Sequence, residues 1–166
     1  MSALDPATRT GAVISADGRY RYSLMRVWDE GAAPLVFVML NPSTADASED
    51  DPTIRRCVAF AKRQGFGGIL VVNLFAFRST DPKVMARAVD PVGPDNDEAI
   101  EQAVSGRTVL VAWGANATRE RAKAVTHLLS SLDCAVYSLG VTKGGHPRHP
   151  LYIRGDQPFE PWEAAA

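Results

Sequence analysis

Two carboxamides, Asn41 and Asn73, stand where apolar runs stop, and one imidazole, His149, sits in a glycine- and proline-constrained loop. Asn41 follows the six apolar residues Leu35 to Leu40 and precedes Pro42, and Asn73 closes Ile69-Leu70-Val71-Val72. A carboxamide at the end of a buried strand can hold a water through its carbonyl oxygen, although it cannot take a proton as a carboxylate would. Asn73 offers a donor and an acceptor side by side, which suits reading the edge of a nucleobase. For both residues the alternative is an amide that ties down its own turn. His149 lies between Arg148 and Pro150 in the stretch Lys143-Gly144-Gly145-His146-Pro147-Arg148-His149-Pro150. An imidazole held in such a constrained loop can stabilise an anion developing on a leaving group. Its alternative is a surface histidine, and His146 competes for the same role.

These residues need a frame that presents them together. Residues 35–40 have the length of a strand buried on both faces, and Pro42 biases Asn41 away from helical angles. The strand is therefore expected to end with the amide at its carboxyl edge, where open α/β sheets bind ligands. Residues 11–28 alternate around Asp17-Gly18 and predict a β-hairpin. Asp51-Pro52 predicts an N-cap and first helical position, with Ile54, Cys57, Val58 and Ala61 as an apolar face ending at Gly65. Further strands are expected at 69–72, 108–113 and 134–139, and further helices at 95–104 and 116–132. Residues 76–94, with Pro82, Pro91, Gly93 and Pro94, read as a long loop. This alternation predicts a single α/β domain over 1–166, a three-layer α/β/α arrangement with a mainly parallel central sheet plus the N-terminal hairpin.

Composition narrows the partners. A net charge of −1 lacks the basic excess of a duplex binder, although Arg55, Arg56, Lys62 and Arg63 around one predicted helix and Lys143, Arg148 and Arg154 near the C-terminus leave room for a local basic patch. A small ligand or a single strand is favoured over a long duplex. Asp46, Glu49, Asp50 and Asp51 read as loop solvation and helix N-terminal charge, so no metal is expected, and no cofactor either. Lys143-Gly144-Gly145 resembles a phosphate nest but lacks the spacing of a nucleoside-triphosphate loop. No nucleophile elbow or Gly-x-Gly-x-x-Gly is present. Cys57 and Cys134 sit in apolar patterns without Cys-x-x-Cys spacing and read as reduced thiols. Neither a signal-peptide core nor a membrane-length apolar run is found, so a cytoplasmic protein without a membrane partner is expected. The oligomeric state is open, a monomer included.

The segments Met-Leu-Asn-Pro-Ser-Thr-Ala-Asp, Asp-Asp-Pro-Thr-Ile-Arg-Arg, Val-Val-Asn-Leu-Phe-Ala-Phe-Arg and Pro-Arg-His-Pro-Leu-Tyr together resemble the bacterial and phage family called domain of unknown function 1643, over roughly 11–162. That resemblance carries no function. More distantly, the order of motifs is similar to the uracil-DNA glycosylase superfamily, through Asn41-Pro42, Val71-Val72-Asn73, the strand ending Trp113-Gly114, and His149-Pro150-Leu151. The second resemblance implies that Asn41 places an attacking water and Asn73 reads an extruded base. His149 would steady the departing base anion while Leu151 or Tyr152 enters the vacated stack. Pro42 and Ser43 would join the substrate-binding residues, and Arg55, Arg56, Lys143 and Arg148 would bind phosphates. The chain departs from that superfamily at Ser43 and in the last loop, which lacks the serine pattern and continues Tyr152-Ile153. The implied activity is hydrolysis of an N-glycosidic bond of a base in DNA or of a nucleotide or nucleoside. Alternatives are a nucleotide or nucleic-acid binding protein that does not cleave, and a different enzyme acting on a modified nucleotide.

Overall fold

A computed structural model describes residues 7–163. The chain runs β1 (Arg9–Ile14), β2 (Arg21–Val27), β3 (Pro34–Met39), α1 (Pro52–Arg63), β4 (Gly68–Asn73), α2 (Pro82–Arg87), α3 (Asn96–Val104), β5 (Thr108–Val111), α4 (Arg119–Ser130), β6 (Ala135–Ser138), a 3-10 turn (Pro150–Tyr152) and β7 (Glu160–Pro161).

The strands form one seven-stranded sheet in the order β1-β2-β4-β3-β5-β6-β7. Its centre, β4-β3-β5-β6, is parallel, whereas β1 on β2, β2 on β4 and β7 on β6 are antiparallel. The sheet is thus mixed, which corrects the expectation of a mainly parallel one. The reason lies in the connections. Parallel neighbours need a long crossover such as a helix, and the central strands have them, while the N-terminal hairpin and the returning C-terminal segment reach the sheet without one. The two-residue β7 and the short α2, which breaks up the expected 76–94 loop, are not legible as periodic patterns.

Side chains alternate along β3 and so feed two clusters. Leu35, Phe37 and Met39 pack with Ile54, Cys57, Phe60 and Ala61 of α1. Val36 and Val38 pack with Met85 of α2, Ile100 and Val104 of α3, and Val125 and Leu129 of α4. Fully burying such side chains contributes roughly 1.5–3 kcal/mol each. The strand ends are therefore anchored by the stiffest part of the molecule.

Local chemistry sets the loops above those ends. Asp51 caps α1, its Oδ1 accepting the Ile54 N–H at 2.9 Å, with Pro52 as the first helical residue. Gly65, at φ +82°, ends the helix in the left-handed region that glycine tolerates. The acidic loop is folded around Arg26, which is fully buried. Its Nε donates to Asp50 Oδ1 at 2.8 Å and its Nη2 to the carbonyls of Asp46 and Glu49. Asp46 Oδ1 in turn accepts the backbone N–H groups of Ser48 and Glu49. Cys57 and Cys134 are free thiols, and burial raises the pKa of both. Among the described residues no helix is long and apolar enough to cross a membrane.

Candidate functional site

The carboxyl ends of β3, β4 and β5 and the segment from Thr142 to Ile153 enclose a cavity of about 450 Å³. Asn41, two residues past β3, lines it. Asn41 Nδ2 donates to the carbonyls of Ser79, at 2.8 Å, and of Pro42, at 3.1 Å. Both partners are acceptors only, so the amide has one orientation and Oδ1 is the atom left for the cavity. Asn41 thus ties down its own turn and still presents an acceptor.

Asn73, the last residue of β4, pairs in register with Met39 of β3 and is 0% exposed. Neither Nδ2 nor Oδ1 has a hydrogen-bond partner, while its carbonyl accepts from Asn96 Nδ2 at 2.9 Å. Five buried side-chain polar atoms among the described residues lack a partner. Four of them belong to Asn73, Trp113 and Arg21, which all line this cavity. Buried polar groups are nearly always satisfied, and four of the five exceptions gather around this one cavity.

His149 lines the same cavity. Its Nδ1 accepts the Leu151 N–H at 3.2 Å, so the neutral ring carries its proton on Nε2 and can donate it. Burial lowers the imidazole below its ordinary 6.5, and the Asp51 carboxylate acts in the opposite direction. The loop reaches this position because Gly114, at φ +76°, follows the strand end and donates its N–H to the Pro147 carbonyl at 2.8 Å. A Cβ on Gly114 would lie 3.6 Å from that of His149. His146 instead lines a second, larger cavity with α4 and Trp162, so it is His149 that shares a chamber with Asn41 and Asn73.

Ser43, Arg148, Leu151 and Tyr152 also line the first cavity, and Leu151 and Tyr152 expose much of their apolar surface there. The His149 and Tyr152 rings lie 5.6 Å apart. Pro42 is buried behind the cavity wall, its carbonyl clipped by Asn41 and by the Ser79 N–H. Arg55, Arg56 and Lys143 do not line the cavity. Arg56 donates to the carbonyls of Pro150, at 3.2 Å, and Ile153, and so holds the turn that carries Leu151 and Tyr152. Arg55 donates to the Asp50 carbonyl at 3.2 Å, and Lys143 is exposed on a tight turn closed by Gly145 N–H to Thr142 carbonyl at 2.9 Å.

Sequence reasoning missed three members. Asp51 is the one carboxylate in the lining, but it reads as a helix cap, and both of its oxygens do accept backbone N–H groups, from Ile54 and Ala45. Trp113 reads as the end of an apolar run. Arg21 reads as one position of a hairpin, and only burial reveals it: desolvation lowers its pKa to about 10, with Asp51 opposing the shift and Arg78 and Arg26 reinforcing it.

These features define an α/β protein whose mixed sheet carries a polar cavity at the carboxyl ends of its central parallel strands. Over residues 21–151 the chain matches the family described as "Protein of unknown function (DUF1643)", and it belongs to that family. No curated protein and no solved structure gives a significant match.

Proposed function

We propose that the cavity binds a nucleobase and that the protein hydrolyses the N-glycosidic bond joining that base to its sugar. The observation that carries this reading is the unpartnered amide of Asn73, fully buried in the cavity. Leaving a buried donor and acceptor unmade costs about 1–3 kcal/mol each, and a base edge with a complementary donor and acceptor recovers it. A cavity of about 450 Å³ is of ligand size. The packing of α1 against one cluster and of α2, α3 and α4 against the other supports reading the fold as a three-layer, uracil-DNA glycosylase-like arrangement. Two free thiols, Cys57 buried and Cys134 partly so, support a cytoplasmic setting.

In this reading the C–N bond breaks with its electron pair passing to the base. The neutral His149 donates a hydrogen bond from Nε2 to the base anion, and Asp51 supplies negative charge opposite the sugar cation. Asn41 Oδ1 holds the water, whose oxygen bonds to the anomeric carbon; one of its protons ends on the base. The ligand is a nucleotide, a nucleoside or a base flipped from a strand, entering past Leu151 and Tyr152.

Incubation with DNA containing uracil, mismatched or modified bases, and with free nucleosides, is expected to release a free base detectable by chromatography. Asn41→Ala and His149→Ala are each expected to slow release by roughly 100-fold or more. A second reading, binding without cleavage, is favoured by one observation. Asn41 cannot accept a proton, and both Asp51 oxygens are already engaged by the backbone. No release from any substrate, with nucleotide binding that Asn73→Ala abolishes, would establish it.

A further inference from the structure

Three arginines of the described chain are buried: Arg21, Arg26 and Arg121. Two have a carboxylate partner, Asp50 at 2.8 Å from Arg26 and Asp97 at 2.6 Å from Arg121. Arg21, at 2% exposure, forms no ion pair among the described residues. Of its five N–H donors, one on Nη1 reaches the Ala45 carbonyl at 2.9 Å, and Nε is buried without any partner. The arginine without an anion is the one that lines the cavity. A desolvated guanidinium without an ion-pair partner is expensive, and the like charges of Arg26 and Arg78 add to the cost. Asp51 offsets this only from a distance, since it lies outside ion-pair range.

We infer that the Arg21 end of the cavity is a subsite for a phosphoryl group, so that the ligand is a nucleotide carrying a terminal phosphate. The inference rests on the nucleobase reading of Asn73 and adds to it which class of ligand fits. A guanidinium fork matches two phosphoryl oxygens, and the hydroxyls of Ser43, Thr53 and Thr80, which also line the cavity and make no hydrogen bond among the described residues, can donate to the others. Arg148, exposed at the lining, adds a second positive charge to the cavity. The same chemistry is available from a mononucleotide or from the phosphate at the end of a strand.

Calorimetric titration of the full chain with the common nucleosides, their 5′-monophosphates and single-stranded oligonucleotides with and without a 5′-phosphate tests this. At least one monophosphate is expected to bind about tenfold or more tighter than its nucleoside. Arg21→Gln should erase that preference, leaving monophosphate and nucleoside with equal affinity; circular dichroism reports whether the variant folds. Should it not fold, inorganic phosphate is expected to compete with the monophosphate, but not with the nucleoside, for the unaltered protein. Preference for the 5′-phosphorylated oligonucleotide assigns the phosphate to a strand end, and preference for the monophosphate assigns it to a free nucleotide; either supports the subsite. Equal affinity for nucleoside and monophosphate, with binding still lost in Asn73→Ala, overturns the subsite and leaves the base reading standing. Absence of binding by every probe overturns both.

Discussion

A carboxamide left unpaired in a protein interior lowers stability unless something else compensates, and Asn73 is such a group. Asn73→Leu, close in shape and apolar, is therefore expected to raise stability by roughly 1–2 kcal/mol in urea denaturation while abolishing nucleobase binding. A loss of stability would show that the amide serves the fold instead. His149 makes a prediction in pH. Its native pKa is lowered, so the unfolded chain takes up a proton at about 6.5 before the native protein does. Its contribution to stability is then constant above that value, falls as pH drops through it, and levels off below the lowered native pKa. Base release should follow the neutral ring, level at neutral pH and above and declining on acidification. His149→Gln should remove the stability dependence, which urea midpoints on either side of 6.5 would register.

At the scale of the element, α1 has two duties at one residue. Asp51 both caps the helix and brings the cavity its single carboxylate. The two duties separate by substitution. Asp51→Asn keeps an acceptor for the Ile54 N–H but sets an NH2 against the Ala45 N–H, so it should cost part of the about 1–2 kcal/mol expected for Asp51→Ala in thermal or urea melts. If Asp51 supports the sugar cation, both variants slow base release to a similar degree despite their different stabilities. The cap, the following Pro52 and the closing Gly65 were legible in the sequence because each acts on backbone within a few residues of itself. The cavity role was not, because it depends on where β3 and β4 place the helix N-terminus.

At the scale of the whole molecule, the acidic loop over the sheet is held by one buried cation. Arg26→Leu strips the partner from Asp50 and from the Asp46 and Glu49 carbonyls, and is expected to cost about 3–5 kcal/mol, measured by denaturant unfolding. An effect smaller than about 1 kcal/mol would mean that the loop is held by other contacts. The N-terminal hairpin, the central strands, and helices α1, α3 and α4 were each readable from period and punctuation, since those signals are local. The mixed direction of the sheet was not, because pairing at its edges depends on how distant segments return. Glu160-Pro161 is too short to show alternation, yet it pairs with β6. In the same way Asn41 and Asn73 could be picked out as polar stops on apolar runs, and His149 by its glycine- and proline-constrained loop. The choice of His149 over His146, and the addition of Arg21 and Trp113, came from their placement in space. The amino-acid order determined which polar groups stand at the strand ends, because helix, strand and turn preferences act over a few residues. Tertiary structure alone decided which of those groups find protein partners and which remain for a ligand, because satisfaction of a buried donor or charge depends on neighbours that the chain brings from far away.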